Sequence, residues 1–267
     1  MAHIGIITSG GAFALELVKT VVEGIRKEDI PDSTISFVFC GREEGETRQG
    51  DGILRYVSGA GLKLINFSTL GFKKKLREQD IEEWRLLHDK RLMEILPETD
   101  FDLELGWMWW FGKPICLVRT MVNLHPAKPG GPKGTSIEVI WQLIRERALE
   151  TGIMMHLTTE DRDNGPVISF CRFLIRGQKF DPLWEKMNNL RKTESFEKIM
   201  ERERENNSLF KMIRQAGMAR EPDMVLWTAK ALAEGEIRIK SRQVYGPDGK
   251  ILTGGYDLTQ EIEFEHI

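Results

Sequence analysis

The sequence is poor in the features that mark exported, membrane-embedded or metal-stapled chains. It holds only three cysteines, Cys40, Cys116 and Cys171, widely separated and each set in an apolar run. That number and spacing argue against a disulfide or zinc framework and fit reduced core residues of a cytoplasmic protein. No run of about 18 apolar residues occurs. Residues 1–7 pass straight into a strand-like segment without a basic leader or a cleavable apolar stretch, so neither export nor membrane insertion is expected. Charge of one sign is missing too. The 38 basic and 41 acidic side chains leave a formal charge of -3, which gives no general attraction to nucleic acid or to an anionic membrane. There is no internal repeat and no low-complexity segment. What is present is 267 residues, enough chain to bury a sizeable core without staples.

From residue 1 to about 175, short apolar runs alternate with longer amphipathic stretches. This rhythm predicts an α/β fold, a mostly parallel Rossmann-like sheet with helices on both faces. The predicted strands cover residues 3–8, 35–40, 62–66, 101–105, 117–123, 153–158 and 167–175. Apolar positions three and four apart predict helices over residues 11–27, 48–58, 77–96 and 136–150, with Pro97 closing the third. Ligands of such sheets sit beyond the carboxyl ends of the strands, so chemistry is expected in the loops after residues 8, 40, 105, 123 and 158. After residue 176 the composition turns charged and helical. Residues 180–217 carry an apolar stripe that includes Trp184, Met187, Leu190, Phe196, Ile199, Phe210 and Ile213. A second helix over 221–233 is followed by a hairpin from 237–244 through Pro247-Asp248-Gly249 into Ile251-Leu252. The chain therefore divides into a core over 1–175 and a helical and β-hairpin appendage over 176–267 packed on it.

The sharpest local signal is Asn123-Leu124-His125-Pro126. A strand end that carries an amide and an imidazole two residues apart points both to one side. Such a pair can donate to a developing oxyanion and exchange a proton with an attacking group. The residues alone equally allow Asn123 as a turn cap and His125 as a partly exposed loop residue. The second signal is the polar turn over residues 161–166, Asp-Arg-Asp-Asn-Gly-Pro, which places carboxylates at a strand end after His156. There a carboxylate can orient an imidazole and relay a proton, or simply form an Asx turn. As a calcium loop the segment fails, because Pro166 replaces the required glycine and Arg172 the closing glutamate. Residues 130–135, Gly-Gly-Pro-Lys-Gly-Thr, lack P-loop spacing and read as the turn that starts the next helix, with help in binding an anion as the alternative.

Taken together these segments resemble the folate-dependent formyltransferase family. The resemblance spans most of the chain and rests on the opening Ile4-Gly5-Ile6-Ile7-Thr8-Ser9-Gly10, on Asn123-Leu124-His125-Pro126, and on His156 followed by Asp163-Asn164-Gly165-Pro166-Val167. It implies Asn123, His125 and Asp163 as the catalytic trio, with Asp163 rather than Asp161 at the reacting position. It implies 10-formyltetrahydrofolate as cosubstrate, bound by Gly106, Trp107, Met108, Trp109, Trp110 and His156, although three tryptophans after a strand also suit a core or an interface. The implied reaction needs no metal. Its partners are a reduced folate and a small-molecule amine, glycinamide ribonucleotide first, with an amino sugar nucleotide or hydroxyornithine, formyl-folate hydrolysis, or non-catalytic binding as alternatives. No oligomeric state follows from the resemblance.

The match departs from the family at the first βα turn. There the family carries Ser-Gly-Xaa-Gly-Ser-Asn, whose amides and Asn side chain hold a substrate phosphate at a helix N-terminus. This chain has Ser9, Gly10, Gly11 and Ala12, then Phe13. The close backbone approach is kept, and the Ser and Asn side chains are gone. The charged loop over 42–49 reads as a family feature or as plain surface.

Overall fold

The computed structural model describes residues 1–11, 13–106, 111–161 and 163–264. Its first half runs β1 (Ala2–Thr8), α1 (Ala14–Arg26), β2 (Ser33–Cys40), α2 (Arg48–Gly59), β3 (Leu64–Asn66), α3 (Lys74–Gln79), α4 (Ile81–Ile95) and β4 (Phe101–Glu104). It continues through α5 (Lys113–Val118), β5 (Met121–His125), α6 (Ser136–Glu146), β6 (Glu150–Leu157) and β7 (Val167–Leu174). Then follow α7 (Asp181–Thr193), α8 (Phe196–Glu203), α9 (Ser208–Ala233), β8 (Arg238–Lys240), β9 (Gln243–Tyr245), β10 (Tyr256–Asp257) and α10 (Thr259–Phe264).

One eight-stranded sheet organises these elements in the order β10-β7-β6-β5-β4-β1-β2-β3. Neighbours pair in parallel except β6, which runs against both β5 and β7. Successive side chains of a strand point to opposite faces. Ile4 and Ile6 of β1 accordingly join one core, with Val18 and Val21 of α1, Val139 and Ile144 of α6 and Val225 of α9. Ile7 joins the other, with Phe37 and Phe39 of β2, Leu92 of α4 and Ile115 of α5. The C-terminal residues belong to this same body: α9 lies on α1, α6 and β6, and β10 extends the sheet beside β7. Among the described residues no helix is long and apolar enough to cross a membrane.

Five sequence expectations need correction. The helix over 77–96 is two helices, because Asp80 leaves helical backbone and its carboxylate accepts from the Glu82 and Glu83 amides, starting α4 afresh. The apolar run read as the start of a strand over 117–123 is split: with Pro114 in its first turn, 113–118 is α5, and the strand begins at Met121 and ends at His125. The helix over 136–150 stops at Glu146, where Arg147 turns left-handed (φ 56°), and Glu150 opens β6. The helix over 221–233 does not stand alone. It is the second half of the 26-residue α9, which runs through Pro222 because Met224, Val225, Thr228 and Ala229 are buried on the body. Finally, the hairpin turns at Ser241-Arg242 (φ 48° and 61°), and the turn after Pro247 adds only a bridge from Tyr245 to Ile251. The left-handed turn is held where the Arg242 guanidinium donates to the carbonyls of Cys116 and Thr158.

Candidate active site

Asn123 and His125 lie two residues apart on β5 and so share a face. β6 runs antiparallel to β5 in a register that sets His156 opposite Asn123. The loop from β6 to β7 then brings Asp163 back over both. Its base is closed by the Leu157 amide donating to the Pro166 carbonyl at 2.9 Å. Gly165 is required there, since a Cβ would overlap the Leu157 carbonyl oxygen. Asp163 itself sits in the left-handed region (φ 54°), a strained conformation that the surrounding contacts hold in place.

His125 is only 2% exposed and ends a central strand, so it is neither a loop residue nor partly exposed, because the strand starts later and runs further than its apolar pattern implied. Its Nε2 lies 3.0 Å from the Pro132 carbonyl, which can only accept, so Nε2 carries a proton and Nδ1 faces Asp163 Oδ1 at 3.7 Å. The same logic fixes His156. Its Nδ1 donates to the Leu157 carbonyl (3.3 Å), leaving Nε2 to accept from Asn123 Nδ2 (3.1 Å). Burial holds the His156 imidazole below its ordinary pKa, against the opposing pull of the Leu157 bond, which suits a neutral ring. Among the described residues the second amide hydrogen of Asn123 has no partner. Asp163 Oδ2 accepts from the Gly134 amide (3.1 Å), while its Oδ1 stands 3.8 Å from His156 Nε2.

Residues 130–135 thus do more than start a helix. Thr135 caps α6 in a reciprocal box with Glu138, Pro132 and Gly134 brace the imidazole and the carboxylate, and Lys133 donates to Asn164. Ligating atoms of His125, His156 and Asp163 lie within 4.8 Å of one another, so they converge on one small volume and could also hold a cation. Asp161 is exposed, and its carbonyl accepts from Thr159 Oγ1 and from the Asn164 amide.

These groups open on a cavity of about 560 Å³, within the range of small-molecule sites. Asn123, His125, His156, Asp163, Gly106 and Gly11 all line it. Gly106 takes a left-handed turn (φ 65°), and a Cβ there would crowd Ala14. Ser9 and Gly10 do not line the cavity: Ser9 is buried, and Gly10 (φ 72°) is packed on Gly50 and Arg42. Arg42 is itself buried, at 7% exposure, so it is not plain surface. Ala12, Trp107, Met108, Trp109 and Trp110 lie outside the described residues.

Sequence reasoning missed three contributors. Arg214 and Glu221 of α9 line the cavity from one helix face two turns apart; Arg214 donates to Ser136 Oγ (2.7 Å), and burial lifts the Glu221 carboxyl to about 7. Their spacing of seven was the available signal, hidden by the break expected before residue 221. Glu104 is the third. It lies opposite Asn123 in the sheet, is 3% exposed and accepts from the Thr158 hydroxyl. Burial pushes its carboxyl up to about 8, and the neighbouring Asp102, Asp89 and Asp163 carboxylates push the same way. Two acids within the central run Phe-Asp-Leu-Glu-Leu were the sign of it.

No protein-family model and no curated protein matches the chain. Solved structures do. Glycinamide ribonucleotide transformylase 1 from Symbiobacterium toebii is 17% identical with a TM-score of 0.63, over 91% of this chain and 93% of that one. Phosphoribosylglycinamide formyltransferase from Coxiella burnetii is 17% identical with a TM-score of 0.60, over 96% and 98%. A formyltetrahydrofolate deformylase from Pseudomonas syringae pv. tomato is 12% identical with a TM-score of 0.62, over 92% of this chain and 65% of that one. At these identities the likeness is one of fold: the chain has the formyltransferase fold, as the sequence motifs led one to expect.

Proposed function

We propose that this chain transfers a formyl group from 10-formyltetrahydrofolate to a primary amine, with glycinamide ribonucleotide as the leading acceptor. The observation that carries the reading is the convergence of Asn123, His125 and Asp163 at the wall of one cavity in this fold, His125 buried, the other two half-buried, and all three braced. The neutral amine attacks the formyl carbon and the carbonyl oxygen becomes an oxyanion. Asn123 meets it with its remaining amide hydrogen. His125 meets it through Nδ1, since Nε2 is committed to Pro132, and therefore acts as the imidazolium with Asp163 as its counter-charge. Asp163 also accepts the proton that leaves the attacking amine and returns it, directly or through water, to the folate nitrogen as the carbon–nitrogen bond breaks. His156 stays neutral and holds the Asn123 amide. No metal takes part in this scheme.

A second reading, hydrolysis of the formyl folate, is favoured by one feature: the first βα turn lacks the side chains that would hold an acceptor phosphate. Purified protein mixed with 10-formyltetrahydrofolate and a panel of amines decides between them. Tetrahydrofolate and formylated amine should appear in equal amounts. Tetrahydrofolate alone, with free formate, means hydrolysis with water in the amine's place; no turnover of the folate under any condition sinks both readings.

A further inference from the structure

β4 carries two carboxylates on one face, Asp102 and Glu104, and the chain treats them differently. Asp102 is locked: Arg119 grips it through Nε (2.6 Å) and Nη2 (2.8 Å), and Thr99 donates to it as well. Nothing of the kind holds Glu104. Among the described residues its carboxyl receives one hydrogen bond, from Thr158 to Oε1, and its second oxygen has none. That oxygen is not a sealed orphan either, because Glu104 and Thr158 both line the cavity. Arg242, which acts on the neighbouring Cys116 thiol, spends its donors on the carbonyls of Thr158 and Cys116. It holds the Thr158 backbone and leaves Glu104 unneutralised. The hairpin tip thereby fixes the hydroxyl that orients this carboxyl.

A carboxyl kept in a cavity wall at the cost of burial, with one oxygen oriented and the other free, is built to meet a ligand. An ammonium group would demand a carboxylate. The groups around Glu104 are acidic, Asp102 on its own strand, Asp89 on α4 and Asp163 on the β6–β7 loop, with the Cys116 thiol on α5, and they keep charge off it. The complementary ligand is then uncharged and offers a donor beside an acceptor. We infer that Glu104 is a specificity-determining residue whose carboxyl reads the amino-pyrimidine edge of the folate heterocycle: Oε1 accepts from the exocyclic amino group, and the Oε2 hydroxyl donates to the adjacent ring nitrogen. The inference rests on the folate reading above and adds the residue that recognises the heterocycle.

The test is to titrate wild type, Glu104→Leu and Glu104→Gln with 5,8-dideazafolate and with its 2-desamino-2-methyl analogue, followed by tryptophan fluorescence and calorimetry at pH 7. Wild type should prefer the amino compound by about 10- to 100-fold, the range set by leaving one buried polar group unpaired. Glu104→Leu should erase that preference by weakening the amino compound alone, and Glu104→Gln, which keeps a donor and an acceptor, should retain part of it. Above about pH 8 the wild-type preference should fade as the acid loses its donated hydrogen, while that of Glu104→Gln holds. An unchanged preference in folded Glu104→Leu overturns the inference and leaves the folate reading standing. No saturable binding of either compound to wild type overturns the folate reading and this inference with it. Should Glu104→Leu fail to fold, the pH comparison decides, and a wild-type profile that stays parallel to Glu104→Gln beyond pH 8 is a refutation.

Discussion

The two sides of the cavity are built by opposite means. On the β5–β6 side the wall is side chains: Asn123, His125, His156 and Asp163 are held by one another, by Pro132 and Gly134, or by both. On the β1–α1 side the wall is backbone at Gly11 and Gly106, with the apolar Phe13, Ala14 and Leu17 beside it. Gly11 and Gly106 come to the surface there, Ser9 is withdrawn, and Arg42 and Gly50 fill the space behind Gly10. Groups that must move protons need fixed distances and a dry setting, which demand bracing. A wall of peptide groups and apolar side chains can only position a ligand, and it tolerates change in what it positions. Under the proposed function the difference would put chemistry on one side and acceptor choice on the other.

The largest effect should come from the braced side. Asp163→Asn keeps the shape, and asparagine accepts the left-handed backbone, yet it removes the charge opposite His125 and the proton carrier. Turnover should fall by roughly 100- to 10,000-fold, the usual size of a lost acid–base group, with the melting temperature nearly kept. Asp161→Asn, on the exposed part of the same loop, should leave turnover near wild type. Equal losses in the two variants would show that the loop acts as a unit and that its carboxylates have no separate roles.

His125→Ala should follow, with turnover lower by about 100- to 1000-fold for one lost oxyanion donor. Since the ring is buried and bonded to Pro132, this variant should also lose about 1–3 kcal/mol of stability from an orphaned carbonyl. Denaturant melts beside single-turnover assays separate the two losses; stability lost without turnover would make His125 a structural strut.

On the backbone side the effects should be smaller and of another kind. Among the described residues a methyl group on Gly11 would meet only the Gly106 carbonyl, at 3.8 Å. Gly11→Ala should therefore shift the acceptor KM several-fold with kcat nearly intact. A drop in kcat alone would place this turn in the chemistry and erase the distinction between the two walls.

How far the molecule could be read in advance follows the same divide. The strand–helix alternation and the motifs around Asn123, His125 and Asp163 were legible because periodicity and short-range spacing survive in one dimension. The braces were not. Pro132 and Gly134 act through a carbonyl and an amide, which no residue type announces. Ile115-Cys116-Leu117-Val118 reads as strand, and only Pro114 at a helical first turn argues otherwise. The helix expected to start afresh at 221 instead continues α9 through Pro222, and that expected break hid the place of Arg214 and Glu221 in the cavity. Arg242, at a left-handed position in a hairpin, had no local signal that it would reach Cys116 and Thr158.

Between the two sides runs β4, where the contrast reappears inside one strand and bears on stability, not on turnover. Asp102 is bonded to a buried cation, so Asp102→Asn strands Arg119 and should cost about 3–5 kcal/mol. Glu104→Gln should do the reverse. The folded chain holds the Glu104 proton up to about pH 8, whereas an unfolded chain releases it near the ordinary glutamate value of 4.5. Between those values the native state binds more protons than the unfolded state, and stability falls as pH rises. That contribution is whole below 4.5 and lost by about pH 8, and glutamine abolishes it. Melting curves of wild type and Glu104→Gln should nearly coincide at pH 5 and separate toward pH 8, with the variant higher by several degrees, at about 2–4 °C per kcal/mol for a chain of this size. A gap that is constant with pH would mean that Glu104 is already ionised in the fold, and that β4 holds two carboxylates of one kind.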